Sequence, residues 1–75
     1  MKVITAKGNE FECDSITFIP SPMRLYLHIV GASMADVAPV FYEEGQLPIE
    51  GYPLFNHVQA ISSEGAARVK VSLKN

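Results

Sequence analysis

The stretch that decides the fold reads RLYLHIV (Arg24–Val30), GAS (Gly31–Ser33) and MADVAPVFY (Met34–Tyr42). Its first part predicts a β-strand, because successive side chains of a strand point to opposite faces and apolar residues here occupy both. A strand that is apolar on both faces usually lies in the middle of a sheet or is covered on both sides. Its two faces carry Leu25, Leu27 and Ile29 on one side and Tyr26, His28 and Val30 on the other.

The second part of the stretch predicts a short helix. Ser33 can cap a helix with its side-chain oxygen, and Asp36 stands at the position where a capping box carries an acidic residue. Pro39 falls in the second turn, where it removes a hydrogen bond and crowds the preceding turn, so we expect a short or kinked helix. The apolar stripe of this helix consists of Met34, Val37, Ala38 and Phe41.

The residues before this stretch predict a β-hairpin. Residues 2–6 and 11–19 have the composition of strands, and the turn between them contains Gly8, which is suited to positive φ. The alternation of the second strand changes parity in its middle. A β-bulge near Asp14-Ser15 would reconcile the two halves, because one extra residue shifts the facing of those that follow.

The residues after the helix predict a second hairpin. Residues 52–61 are rich in Tyr, Phe and Val, residues 62–66 have the composition of a turn, and residues 67–74 alternate strictly. Residues 47–49 (LPI) form either a short edge strand or an ordered loop. In the last strand we expect Val69, Val71 and Leu73 to face inward and Arg68, Lys70, Ser72 and Lys74 to face outward.

The order of elements is therefore β-β-β-α-β-β. Consecutive strands joined by short turns pair antiparallel, so we expect an α+β fold with a mainly antiparallel sheet of about five strands and one short helix. The alternative is a sheet curled into a small open barrel. With 75 residues, we expect residues 1–75 to form a single small domain.

The composition leaves apolar surface to cover. Apolar residues make up 48% of the chain and charged residues 19%. A domain of this size buries only about 60% of the surface that its unfolded chain exposes. We therefore expect a protein partner or a homo-oligomer to cover part of the remainder.

Several features favour a cytoplasmic location. Cys13 is the only cysteine, which excludes a disulfide within the chain and hence a secreted disulfide scaffold. Residues 1–7 contain no long apolar run, so we expect no signal peptide. No apolar run approaches the roughly 20 residues that a membrane span needs, so we expect no membrane association.

No residues form a catalytic or metal-binding pattern. His28, His57 and Cys13 fall on three different predicted strands, and no pair of them has the spacing of metal ligands. Cys13 alternates with Phe11 as a buried residue would, and nothing marks the orienting group or oxyanion site that a cysteine nucleophile needs. We therefore expect no enzymatic activity, no metal and no cofactor.

A basic row lies on the last predicted strand, formed by Arg68, Lys70 and Lys74. Such a row suits contact with phosphates, but exposed lysines also keep an edge strand from pairing with other chains. The net charge of the chain is −2, which is no electrostatic signature of a nucleic-acid-binding protein. We therefore interpret the row as edge protection and do not expect nucleic-acid binding.

Four short motifs run along the chain: a Gly-x-x-Phe turn, a capped helical stretch that ends in Phe, a Gly-Tyr pair before the last hairpin and an alternating end. In order they are Gly8–Phe11, Ser33–Phe41, Gly51-Tyr52 and Val69–Lys74. With these motifs, the chain resembles short, mostly uncharacterised proteins encoded in phage or prophage regions of Gram-positive bacteria. The resemblance covers most of the chain. It implies a phage-associated accessory or structural role, in the host cytoplasm or in the virion, and it carries no catalytic residues.

These inferences favour a non-enzymatic assembly or protein-interaction module that works through strand edges and an apolar patch. If the protein self-associates, we expect the contact to spare the basic row. The alternative is a small-molecule or peptide-binding module with a pocket between sheet and helix, lined by Tyr26, Phe41 and Tyr52. The residues expected on the interaction surface are Tyr26, His28, Val30 and Tyr52.

Overall fold

The strand that contains the Leu25–Ile29 alternation lies in the middle of the sheet in the computed structural model, which describes residues 1–44, 48–49 and 51–75. This part of the chain forms five strands and one helix. The elements are β1 (Lys2–Ile4), β2 (Glu10–Pro20), β3 (Met23–Val30), α1 (Met34–Glu44), β4 (His57–Gly65) and β5 (Arg68–Lys74).

All five strands pair antiparallel in a single sheet with the order β1-β2-β3-β5-β4. The predicted α+β fold with a mainly antiparallel sheet is therefore confirmed. The sheet is not closed into a barrel, since β1 and β4 lie at opposite edges of the described structure. The predicted β-bulge is also present, because the register of β2 against β3 shifts between Cys13 and Ser15.

One face of the sheet, here called the inner face, is covered and forms the core. Leu25, Leu27 and Ile29 of β3 are fully buried on it, and the inward residues of β5 pack beside them. Val37 and Phe41 of α1 bury the centre of the helical stripe against the same core. Full burial of a side chain of this size stabilises the fold by about 1.5–3 kcal/mol.

The start of α1 is capped by Asp36 more than by Ser33. The Asp36 carboxylate accepts hydrogen bonds from the backbone N–H of Ser33 at 3.2 Å and from its hydroxyl at 3.0 Å. This is the acidic arm of a capping box, and it also places a negative charge at the positive end of the helix dipole. The helix runs through Pro39 to Glu44 and has 11 residues in all, about three turns, which agrees with the short helix expected. Pro39 and Ala35 are both exposed, so water can solvate the carbonyl that Pro39 leaves without a partner.

The end of α1 is fixed to the turn between β1 and β2. The Glu44 carboxylate accepts hydrogen bonds from the backbone N–H of Lys7 at 2.7 Å and from the Asn9 side-chain amide at 2.8 Å, and Glu43 pairs with the Lys7 ammonium at 3.2 Å. Desolvation raises the pKa of Glu44, but hydrogen bonds from Thr5, Asn9 and Lys7 outweigh it and hold the pKa below its usual value. These contacts offset the unfavourable position of two acidic residues at the negative end of the helix dipole.

The last hairpin differs from its predicted boundaries. Residues 52–56 are not a regular strand, and residues 62–65, predicted as a turn, belong to β4. The turn contains only Ala66 and Ala67, and Ala67 adopts a positive φ of 52°. Composition misleads here because Ser62 and Ser63 pair with Lys70 and Val69 in the ladder, where pairing outweighs low strand propensity.

The segment before β4 covers the end of the inner face nearest Phe18. The Tyr52 and Phe55 rings lie edge-on to Phe18, with ring centroids 5.7 Å and 6.3 Å away. Phe55 is fully buried. Pro48 and Ile49 have no regular secondary structure, and the remaining residue of the predicted 47–49 strand or loop lies outside the described residues.

The position of Pro39 predicts a gain in stability when it is replaced. Pro39→Ala restores the missing hydrogen bond within α1 and should raise the free energy of unfolding by about 2 kcal/mol, after the added freedom of the unfolded chain is taken into account. Urea unfolding followed by circular dichroism measures the change. Pro53→Ala, an exposed proline outside any helix, is the control and should give no gain. An unchanged or lower midpoint for Pro39→Ala would contradict this reading of the helix.

Candidate interaction surface

The face of the sheet opposite the helix, here called the outer face, carries three of the residues predicted for an interaction surface. Tyr26, His28 and Val30 alternate with the buried residues of β3 and are each partly exposed. In the register they lie opposite Ser72, Lys70 and Arg68 of β5. The apolar stripe of β3 and the basic row of β5 are therefore direct neighbours on one surface. A contact through the stripe would therefore also involve the row, whereas a contact through the strand edges would spare it.

Three basic side chains of the outer face, those of Lys70, His28 and Arg68, already contact other side chains of the protein. The Lys70 ammonium lies over the Tyr26 ring, 4.9 Å from its centroid, in a cation–π contact. His28 Nδ1 lies 3.1 Å from a Glu64 carboxylate oxygen, and the Arg68 guanidinium pairs with Asp14. These contacts hold the middle of the face and the end near Val30 in a charge-balanced arrangement.

The opposite end of the outer face is positively charged. Arg24 of β3 lies opposite Lys74 of β5, which lies opposite His57 of β4. We call these three residues the cationic row. Side chains directly opposite in an antiparallel pair have Cβ atoms about 5 Å apart. Among the described residues, none of the three pairs with a carboxylate.

Tyr52 does not join the other predicted surface residues. The Tyr52 ring packs on Phe18, which is paired across β2 and β3 with the buried Leu25. Tyr52 therefore lies on the inner side of the sheet. Phe41 is buried in the core at 5.3 Å from the Phe11 ring. Tyr26, Phe41 and Tyr52 therefore do not line a common pocket, because the sheet separates the first from the other two.

Two shallow hollows adjoin residues 48–49 instead. One, of about 320 Å³, lies against β1 and is lined by Lys2, Val3, Ile4, Pro48 and Ile49. The other, of about 390 Å³, is lined by Pro48, Ile49, Tyr52 and Leu54. Ile4 and Leu54 are about half exposed, at 51% and 48%, so both hollows have an apolar rim.

The side chains that most often bind transition metals do not converge. Cys13 lies opposite the buried Ile29 on the inner face, whereas His28 and His57 lie on the outer face of strands that β5 separates. Within the described residues, no group of three or more His, Cys, Asp and Glu side chains is placed to hold a metal ion. Burial raises the pKa of the Cys13 thiol to about 11, which keeps it in the unreactive protonated form.

The sequence does not predict the cationic row, because it favours the interpretation of the basic residues of β5 as edge protection. That interpretation is wrong, since β5 pairs with β3 on one side and with β4 on the other. Strand order decides which side chains are neighbours, and a sequence does not show the order. The strict alternation of residues 68–74 correctly indicated that Val69, Val71 and Leu73 are buried and that Arg68, Lys70 and Lys74 are accessible, but Ser72, also expected to face outward, is buried.

Comparison of the chain with protein-family models, with curated proteins and with solved structures finds no match. In the part of the chain that the structure describes, no helix is long and apolar enough to cross a membrane.

The burial of Cys13 predicts a thiol that reacts only after unfolding. Its side chain is 1% exposed, and its raised pKa leaves very little thiolate at neutral pH. A colorimetric thiol reagent at pH 8 should therefore modify the native protein far more slowly than the protein in urea. Because the unfolded thiol loses its proton near pH 9 and the folded one near pH 11, this thiol also lowers stability as the pH rises through that range. Equal rates of modification with and without urea would show that the thiol is accessible in the native protein.

Proposed function

We propose that the protein is a non-enzymatic interaction or assembly module that docks on a partner protein through the outer face of its sheet. The observation that supports this most directly is the contrast between the two faces. The inner face is covered by α1 and the aromatic residues before β4, whereas the outer face exposes the stripe of Tyr26, His28 and Val30. A helix or a second sheet commonly packs on a face of this kind.

The sheet edges are less suited to docking than the outer face. β1 is only three residues long, and the register of β4 shifts at two places, between Val58 and Ala60 and between Ser63 and Gly65. Short edge strands and bulges both prevent pairing with strands of other chains. The docking surface is therefore the outer face, and the strand edges that the sequence favoured play a smaller part.

A different protein suits this face better than a second copy of the chain. Where two copies align their strands in the same direction, the cationic rows of both face each other, which is unfavourable. Self-association therefore requires that one copy be turned end to end, with the charge-balanced end of its face on the cationic row of the other. A partner with an acidic surface meets no such restriction.

The resemblance to phage- and prophage-encoded proteins supports a place for this module in a phage-associated assembly. In that setting the protein acts in the cytoplasm of the bacterial host or as a component of the virion. Neither setting requires catalysis, and Cys13 is too deeply buried and too rarely ionised to act as a nucleophile.

The hollows beside residues 48–49 support a second candidate, the binding of a peptide or another apolar ligand. The backbone N–H and C=O groups of Lys2 and Ile4 point away from β2, because the neighbouring Met1 and Thr5 make the ladder hydrogen bonds with Cys13 and Asn9. An extended peptide can add a strand to such an edge and place its side chains in an adjoining hollow. Within the described part of the chain, only Lys2 and Ile4 present such groups on this edge, so this site is smaller than the outer face.

Site-specific photo-crosslinking tests the main proposal. A benzophenone amino acid in place of Tyr26 should form a covalent adduct with the partner in the cells that produce the protein, because position 26 lies in the middle of the outer face. The same amino acid in place of Tyr42, which is 62% exposed on the helix, is the matched control and should give little adduct.

The comparison between the two positions decides the outcome. An adduct that forms from position 26 and not from position 42 supports docking through the outer face. Equal yields from both positions, or adducts from position 42 alone, would refute it. An adduct with twice the mass of the chain would identify the partner as a second copy.

A further inference from the structure

No carboxylate of the described structure pairs with the cationic row. Arg24, Lys74 and His57 lie side by side on three neighbouring strands and face the same way. Like charges directly opposite each other in a sheet are destabilising. Among the described residues, the only polar contact of these three side chains is a hydrogen bond of 2.8 Å from the Arg24 guanidinium to the carbonyl of Met23. Most N–H donors of the guanidinium have no partner in this part of the chain.

The acidic side chains that the structure describes are engaged away from the cationic row. The chain has eight acidic residues, and all except Glu50 lie in the described part. Each of these carboxylates contacts a hydrogen-bond donor. The pairs are Glu10 with Lys2, Glu12 with the N-terminal amine, Asp14 with Arg68, Asp36 with Ser33, Glu43 with Lys7, Glu44 with Asn9 and Glu64 with His28. The described carboxylates are therefore distributed to the helix ends and to the other end of the sheet, away from the cationic row.

Protection of an edge does not account for this row. Arg24 belongs to β3 and Lys74 to β5, and both strands are paired on both sides. Lysines that prevent aggregation are useful on edge strands, where backbone groups are unpaired. The positive charges of Arg24 and Lys74 lie on adjacent strands and raise the free energy of the isolated fold by their repulsion. An anion that lies over them compensates this repulsion.

We propose that the cationic row is the recognition site for carboxylates of the partner protein, which presents at least one pair of acidic side chains about 5 Å apart. This rests on the docking function proposed above and names the chemistry of its partner. Arg24 can hold one carboxylate through two parallel N–H···O bonds, and Lys74 can hold the second as a point charge. Acidic residues four apart on a helix have the required spacing of about 5–6 Å.

Carboxylates fit this surface better than the phosphates of a nucleic acid. The chain as a whole carries a net charge of −2, which repels a long polyanion. Among the described residues, the excess of positive charge lies at one end of the outer face, because the acidic residues Glu12, Asp14 and Glu64 lie near the other end beside Arg68. A short acidic patch can meet the cationic row alone, whereas a nucleic-acid backbone that crossed the face would pass these carboxylates. The Tyr26 ring, which stacking on a base would require, is occupied by Lys70.

Two double variants with equal changes of charge provide the test. Arg24→Gln with Lys74→Gln removes two positive charges from the cationic row, and Lys2→Gln with Lys7→Gln removes two from exposed ion pairs at the other end of the sheet and its turn. Each pair is combined with the crosslinking amino acid at position 26. Urea unfolding of both variants first establishes that they fold equally well.

We expect the substitutions in the cationic row to lower the yield of the adduct about tenfold, because they remove direct charge pairs with the partner. The control pair should change it less than twofold. An equal yield in all three proteins would overturn the carboxylate proposal and leave docking through the outer face intact. If the protein that carries the crosslinking amino acid at position 26 and no other substitution forms no adduct, the docking function itself is refuted.

Purified protein and labelled probes determine the class of anion. Fluorescence anisotropy with a decaglutamate peptide should show binding that weakens with salt and is lowered about tenfold by the row substitutions but not by the control pair. A ten-residue polyglutamine peptide should not bind. Failure of decaglutamate to bind would overturn the proposal, and so would tighter binding of a ten-nucleotide oligothymidine through the same two residues, which would assign the row to phosphates.

Discussion

The structure depends on the pairing of β3 along both of its edges. β2 lies on one side and β5 on the other, and every residue from Arg24 to Val30 has a partner in β5. This pairing satisfies the backbone groups of an apolar strand that would otherwise be costly to bury. It also fixes the position of every outward side chain, because a shift of one residue would move the apolar set to the other face.

The two faces that this pairing creates have different roles. The inner face holds the core, to which α1, Phe55 and the inward residues of β5 contribute. The outer face keeps aromatic and cationic side chains at the surface of the described structure, and the charges on it are not evenly balanced. Arg68 and His28 have acidic partners, but the cationic row at the other end has none among the described residues. Under the proposed docking function, this asymmetry gives a partner both an apolar stripe and a charge to recognise.

Local patterns predicted most of the elements. Alternation identified β3 and β5, the parity change located the bulge of β2, and the i, i+3, i+4 spacing identified the buried face of α1. The boundaries of β4 were wrong because ladder pairing outweighed the turn-like composition of residues 62–65. Two features were not predictable from the sequence: the cationic row, and the position of Tyr52 on the opposite side of the sheet from Tyr26. Both depend on the order of the strands and on which loop covers which face.

An outer face that docks on a partner is open in the isolated protein, and nuclear magnetic resonance with a soluble paramagnetic agent tests this directly. The methyl groups of Val30 and Ala60, which point to the outer face, should show strong relaxation enhancement in dilute protein. Those of Leu27 and Val71, both fully buried, should show little. Equal enhancement at all four positions, or protection of Val30 in a protein shown to be monomeric, would contradict the claim that this face is exposed for docking.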